Sequence, residues 1–173
     1  MNANEMRERL KKGALDERLI SLYGNASLDT QRARYDAALK AFGDLYSPSC
    51  DIHLFSVAGR SELSGNHTDH NRGCVVAASI DLDIIAVAAA TGDGVVRVKS
   101  EGFPEDIVRL AEFTQPRPER FSKSDAIIAG MCAGFRRKGY RVGGFNAYTT
   151  SSVLKGSGLS SSAAFEDMIG NIL

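Results

Sequence analysis

The stretch VVAASIDLDIIAVAAATGDGVVRVK, residues 75–99, decides how the chain folds. Residues 75–90 are rich in branched and small apolar side chains and read as a β-strand. Val96 and Val98 then alternate with Arg97 and Lys99, the period of two expected of a second strand. Between them, Gly92-Asp93-Gly94 reads as a tight hairpin turn. Asp81 and Asp83 interrupt the apolar run, which is too short and too charged to cross a bilayer.

Working outward, residues 52–58 form another short, mostly apolar strand, and a further one is expected over residues 141–153. Elsewhere the period is helical. Ser27 can cap a helix in which Leu28, Tyr35 and Phe42 recur every seven residues, with Leu39 and Tyr46 one step round, ending within residues 43–48. Over residues 124–138, Ile127 stacks on Met131, and Ile128 on Cys132 and Phe135. Residues 160–173 place Phe165, Ile169 and Ile172 on one side of a last helix. Residues 1–24 are charged, with short helical pieces broken at Gly13 and Gly24. Strands and helices mix without strict β-α-β alternation, so the expected class is α+β, a mixed or antiparallel sheet packed with helices.

The expected organisation is a helical segment over residues 1–50 followed by a domain over residues 51–173. The last helix ends on Ile172 and Leu173 with neither a glycine cap nor a basic final turn. The chain therefore reads as a fragment whose apolar end is exposed and open to self-association.

The totals exclude several functions. At 173 residues the chain can bury a real core, and its 43% apolar and 24% charged residues are those of a folded protein. Twenty-one basic residues balance twenty-one acidic ones, which leaves no overall field to hold nucleic acid or an anionic membrane. The three cysteines, Cys50, Cys74 and Cys132, are too scattered for a disulfide framework or a zinc cluster and are expected to be free, mostly buried thiols. The N-terminal MNANEMRERLKKG lacks the apolar run of a secretory signal, so a cytoplasmic location is expected.

Two polar runs carry the chemistry. Residues 59–73, GRSELSGNHTDHNRG, gather neutral amides, a carboxylate and imidazoles on irregular backbone. Sugar hydroxyls both donate and accept hydrogen bonds, and Asn66, His67 and Asp69 suit them. Arg60 can neutralise phosphate charge or a hydroxyl undergoing phosphorylation. A polar turn that bonds to itself is the plainer alternative. A metal site on His67 and His70 would need a helix that Gly65, Asn71 and Gly73 disfavour. The second run, KGSGLSSSAA over residues 155–164, lies between a strand-like segment and the last helix. Its glycines let the backbone approach a ligand, its hydroxyls supply donors, and the helix start offers unpaired N–H groups to phosphate. It is neither a Walker A loop nor a nucleophile elbow, although a Gly/Ser linker remains open.

Together these runs resemble the galactokinase branch of the GHMP small-molecule kinase family. AGRSELSGNHTDHNRG, residues 58–73, follows the branch signature A-P-G-R-x-N-x-x-G-E-H-x-D-Y-x-x-G. Residues 154–163 look like P-x-G-x-G-L-S-S-S-A, and Ser100-Glu101-Gly102 resembles a segment near the nucleotide base. The resemblance covers roughly residues 51–173. It implies the family's N-terminal domain and transfer of the ATP γ-phosphoryl to the anomeric hydroxyl of a galactose-like sugar with Mg2+. Arg60 would lie near the reacting centre, and Asn66, His67, Thr68 and Asp69 would hold the sugar. Ser100, Gly156, Ser157, Gly158, Leu159, Ser160, Ser161 and Ser162 would hold the nucleotide, with Ser162 also a magnesium ligand. Asn66 replaces the family's glutamate, His70 its tyrosine, and the proline before Gly59 is lost. The family's catalytic aspartate lies beyond the second motif, so these residues alone are expected to be inactive. The alternatives are a sugar and nucleotide sensor, or a kinase for mevalonate or homoserine, which the NHTD turn disfavours.

Overall fold

The short polar N-terminus folds as two helices because each has a definite start or stop. In the computed structural model, which describes residues 1–65, 68, 71–112, 123–153 and 161–173, α1 (Ala3–Lys11) begins with a capping box. The Asn2 side chain accepts from Glu5 N at 2.9 Å, and Glu5 Oε2 accepts from Asn2 N at 3.2 Å. The chain breaks at Gly13, runs through α2 (Asp16–Tyr23) and breaks again at Gly24, both glycines having positive φ. Helix α3 (Leu28–Leu45) follows, and its stripe is the expected one. Tyr35, Leu39 and Phe42 are buried, while Leu28 and Tyr46 pack at the margin. Ser27 occupies the N-cap position but makes no side-chain capping bond, because a 3-10 turn, Asn25–Ser27, leads directly into the helix.

Strands β1 (His53–Ser64), β2 (Val76–Thr91), β3 (Val95–Ser100), β4 (Glu105–Arg109) and β5 (Gly144–Ser151) form one mixed sheet in the order β1-β2-β5-β3-β4. Only β3 and β5 pair in parallel. Helices α1 to α3 cover one face, sharing a core with Ile85, Val87 and Ala89. Helices α4 (Ser124–Arg137) and α5 (Ser161–Ile172) cover the other, against Ile84, Ala86, Ala88, Val96, Val98, Phe145 and Ala147. The alternation of β2 side chains between these layers makes its middle apolar on both faces.

The hairpin expected at residues 92–94 is not formed. β5 lies between β2 and β3, with Thr91 opposite Gly144 and Val96 opposite Phe145. Only glycine fits where β5 enters. A Cβ on Gly144 would sit 2.6 Å from both Thr91 Oγ1 and Val95 O, and 2.7 Å from Val95 N. Asp93 closes the wider turn: its carboxylate accepts from Thr91 Oγ1 at 2.7 Å, Val95 N at 3.1 Å and Arg97 Nη1 at 2.7 Å. These bonds, led by Thr91 and then Arg97, pull the carboxyl down to about 2. A carboxyl whose folded value lies below its unfolded one stabilises the fold above the ordinary carboxylate range and loses that contribution as pH falls toward about 2. A side-chain NMR titration of Asp93 should therefore show its midpoint near 2, whereas an ordinary carboxylate midpoint would contradict the turn geometry.

Two further expectations change. Ile172 and Leu173 are half-buried against the α4 and β3 side of the core, so the chain itself covers the end expected to drive self-association. All three thiols are free, but only Cys132 is buried; Cys50 is intermediate and Cys74 exposed. Burial pushes the Cys132 thiol up to about 11. Among the described residues, no helix is long and apolar enough to cross a membrane.

Candidate functional site

The register brings the described candidates Arg60 and Ser100 to one end of the sheet. Val57 faces Ile84, Ile84 faces Ser151, and Ser100 faces Thr149, so β3 and β5 finish close to one row. Beyond that row, β1 and β2 continue as a two-stranded ribbon carrying Arg60 opposite Ser79. The register slips between Ala58 and Arg60, the kind of bulge that re-aims a side chain beside a site. The Arg60 side chain is 38% exposed, with Nη1 3.7 Å from Oε2 of Glu62, itself 7% exposed. Helix α5 starts at Ser161 on the same side. Ala164 and Met168 pack with Ile84, Ala86 and Val153, beside Val57 and Leu82.

The end of the ribbon is tightly built. Gly65 has φ +120°, and a Cβ there would come within 2.7 Å of Val75 Cγ1 and 2.8 Å of Cys74 O. A Cβ on Gly73 would collide with Thr68. Thr68 Oγ1 donates to Gly65 O at 2.7 Å, while Thr68 O accepts from Asn71 N at 2.9 Å and Gly73 N at 2.8 Å. The described part of this turn thus bonds to itself, as Ser/Thr turns do. Asn66, His67 and Asp69 lie outside the described residues, as do Gly156, Ser157, Gly158, Leu159 and Ser160. Of the serine-rich run, Ser161 opens α5 and Ser162 stands exposed in its first turn. Ser100 closes β3, accepting from Thr149 Oγ1 at 2.9 Å and leading into a turn at Gly102 with φ +77°.

Sequence reading missed a buried polar cluster behind this end. Asp83 has a side chain only 3% exposed. Its Oδ1 accepts from Arg34 Nη1 at 2.5 Å, and its Oδ2 accepts from Tyr23 OH at 2.5 Å and Ser56 Oγ at 2.6 Å. Burial, and next the Asp83 carboxylate, raise the Tyr23 phenol above its ordinary value and keep it a donor. Burial likewise raises Tyr35, whose hydroxyl lies 2.9 Å from that of Tyr23. The signal was available in strand parity. Asp83 shares the face of Ile85, Val87 and Ala89, and a carboxylate pointing into that layer needs a cationic partner. A separate groove of about 700 Å³ runs along α4, lined by Ile127, Met131, Phe135 and Tyr140, and includes none of the sequence-predicted site residues.

Comparison with known proteins relates the chain to galactokinases. The galactokinase galactose-binding signature matches residues 40–90. A galactokinase of Limosilactobacillus fermentum is 35% identical over 123 residues, 69% of this chain and 31% of the relative. The crystal structure of Lactococcus lactis galactokinase complexed with galactose superposes with a TM-score of 0.67 at 30% identity, covering 76% of this chain and 34% of that one. The chain is a homologue of the N-terminal part of galactokinases. It spans about a third of the length of the relatives it matches. Methanococcus jannaschii mevalonate kinase shares the fold alone, at a TM-score of 0.54 and 16% identity over 69% of this chain and 38% of that one. The α+β class and the GHMP-kinase N-terminal domain type read from the motifs are those found.

Proposed function

We propose that this chain forms the sugar- and nucleotide-binding N-terminal part of a cytoplasmic sugar kinase that phosphorylates the anomeric hydroxyl of galactose or a galactose-like sugar with ATP. The observation that carries the proposal is the match of the galactose-binding signature to the strands that bear Arg60 and the NHTD turn. In this reading the anomeric oxygen bonds to the γ-phosphorus, the bond to the β,γ-bridging oxygen breaks, and the hydroxyl proton is given up as ADP forms. Catalysis of that kind rests on positioning and charge neutralisation.

Arg60 would neutralise charge at the reacting centre, and Asn66, His67, Thr68 and Asp69 would hold the sugar hydroxyls. Ser100 and residues 156–162 would hold the nucleotide. The described part of that set suits polyphosphate: Ser162 offers an exposed hydroxyl within the first turn of α5, and the leading N–H groups of a helix have no partner within the helix. Mg2+, held in part by Ser162, would supply charge neutralisation on the phosphates.

Calorimetric titration of the 173-residue chain with galactose, its epimers and a non-hydrolysable ATP analogue tests the proposal. Saturable binding of galactose in preference to its epimers, together with analogue binding, is expected. ATP turnover by these residues alone is not. Absence of heat with both ligands would overturn the proposal. Full turnover would overturn the partial-site reading, and binding without turnover in a longer natural chain would favour a sensor.

A further inference from the structure

We propose that Asp83 and Arg34 form a positioning unit that locks the end of β5 and thereby sets where the nucleotide-binding segment after it begins. The inference rests on the nucleotide role of that segment. The ladder between β2 and β5 ends with the pair Ile84 and Ser151. One residue further on, Asp83 takes over from the ladder. Its carbonyl accepts from Ser152 N at 2.9 Å, and Ser152 Oγ lies 2.9 Å from Asp83 N and 3.0 Å from Asp83 O. Arg34 Nη2 adds bonds to Asp83 O at 3.0 Å and Thr150 O at 3.2 Å. Val153 N then donates to Ser151 Oγ at 3.1 Å, and the Val153 side chain is buried with Ala164.

The Asp83 main chain, the Arg34 guanidinium that its carboxylate holds, and the Ser152 hydroxyl therefore fix residues 150–153, while Val153 and Ala164 share an apolar cluster on either side of residues 154–160. Stability alone does not require such a device. An apolar pair of similar volume replaces a buried ion pair without loss in many proteins, yet it could not bond the carbonyl of Thr150 from a distant helix. The charged pair supplies geometry, and the geometry is delivered to the exit of β5.

Hydrogen exchange on the intact chain separates positioning from bulk support. Ser152→Ala is expected to speed exchange of amides at residues 150–153 and in α5 beyond its first turn by about tenfold, the scale of one or two lost hydrogen bonds. Elsewhere in the sheet exchange should hold, and Ser152→Thr should restore the protected state. In the same variant the dissociation constant of an ATP analogue is expected to rise by a similar factor with that of galactose unchanged. Uniform acceleration across the sheet, or none, would overturn the positioning role. Failure of the unaltered chain to bind nucleotide would sink the nucleotide reading alone, because the exchange pattern decides the clamp independently. Asp83→Asn extends the test, and the serine variants decide it if that chain does not fold.

Discussion

Arg34→Ala is expected to lower the unfolding free energy by about 3–5 kcal/mol, the scale for stranding one member of a buried ion pair. Arg34 and Asp83 have side chains 15% and 3% exposed, so solvent screens them little. Removing the guanidinium leaves a buried carboxylate held by the neutral hydroxyls of Tyr23 and Ser56, with Ser152 Oγ at 3.5 Å, and takes bonds from the carbonyls of Asp83 and Thr150. Urea denaturation of the variant measures the loss. Arg34→Met combined with Asp83→Leu should recover most of it, since neither charge is then stranded. A single-variant loss below about 1 kcal/mol would match an exposed ion pair and contradict the burial described here.

Gly144→Val is expected to cost about 3 kcal/mol, the upper end of overpacking, because the side chain would meet the Val95 backbone on one side and the Thr91 hydroxyl on the other. The first added carbon alone comes within 2.6 Å of Val95 O and 2.7 Å of Val95 N. Neither atom can rotate away, since Val95 begins a strand that pairs with Arg109 on its other edge. Gly92, where an added Cβ meets nothing within 4 Å, provides the control: Gly92→Ala should be far milder. Equal losses at the two positions, measured by denaturant midpoints at constant slope, would show that β5 does not enter the gap between β2 and β3.

The elements themselves were legible where side chains repeat with a clear period. The α3 stripe of Tyr35, Leu39 and Phe42, the apolar middle of β2, and Ile128 with Cys132 on α4 all face the core as their spacing implies. β4 was not read because Glu105 and Asp106 make its start look like a loop. Strand order was illegible for a different reason. Gly92-Asp93-Gly94 is a strong local turn signal, but what fills the space beside β2 is a strand some fifty residues further along the chain, chosen by packing rather than by local propensity.

Of the site, the two motifs were readable from residue types, and the first lies within the stretch that matches the galactose-binding signature. The buried cluster was missed, because Asp83 reads first as an interruption in an apolar run, although strand parity sets it on the face of Ile85 and Val87. Its hydrogen-bond partners Ser152, just past the end of β5, and Arg34 on α3 show that this interruption is a junction.

The order of strands also bears on how the polypeptide assembles. Of the five described strands the central one is synthesised last, so while the ribosome is extending the chain toward residue 151 both neighbours, β2 and β3, have open edges on their facing sides. Such edges are templates for pairing with other chains. The molecule is most vulnerable to aggregation in that interval, and its many non-local pairings should make closure of the sheet the slow event in folding.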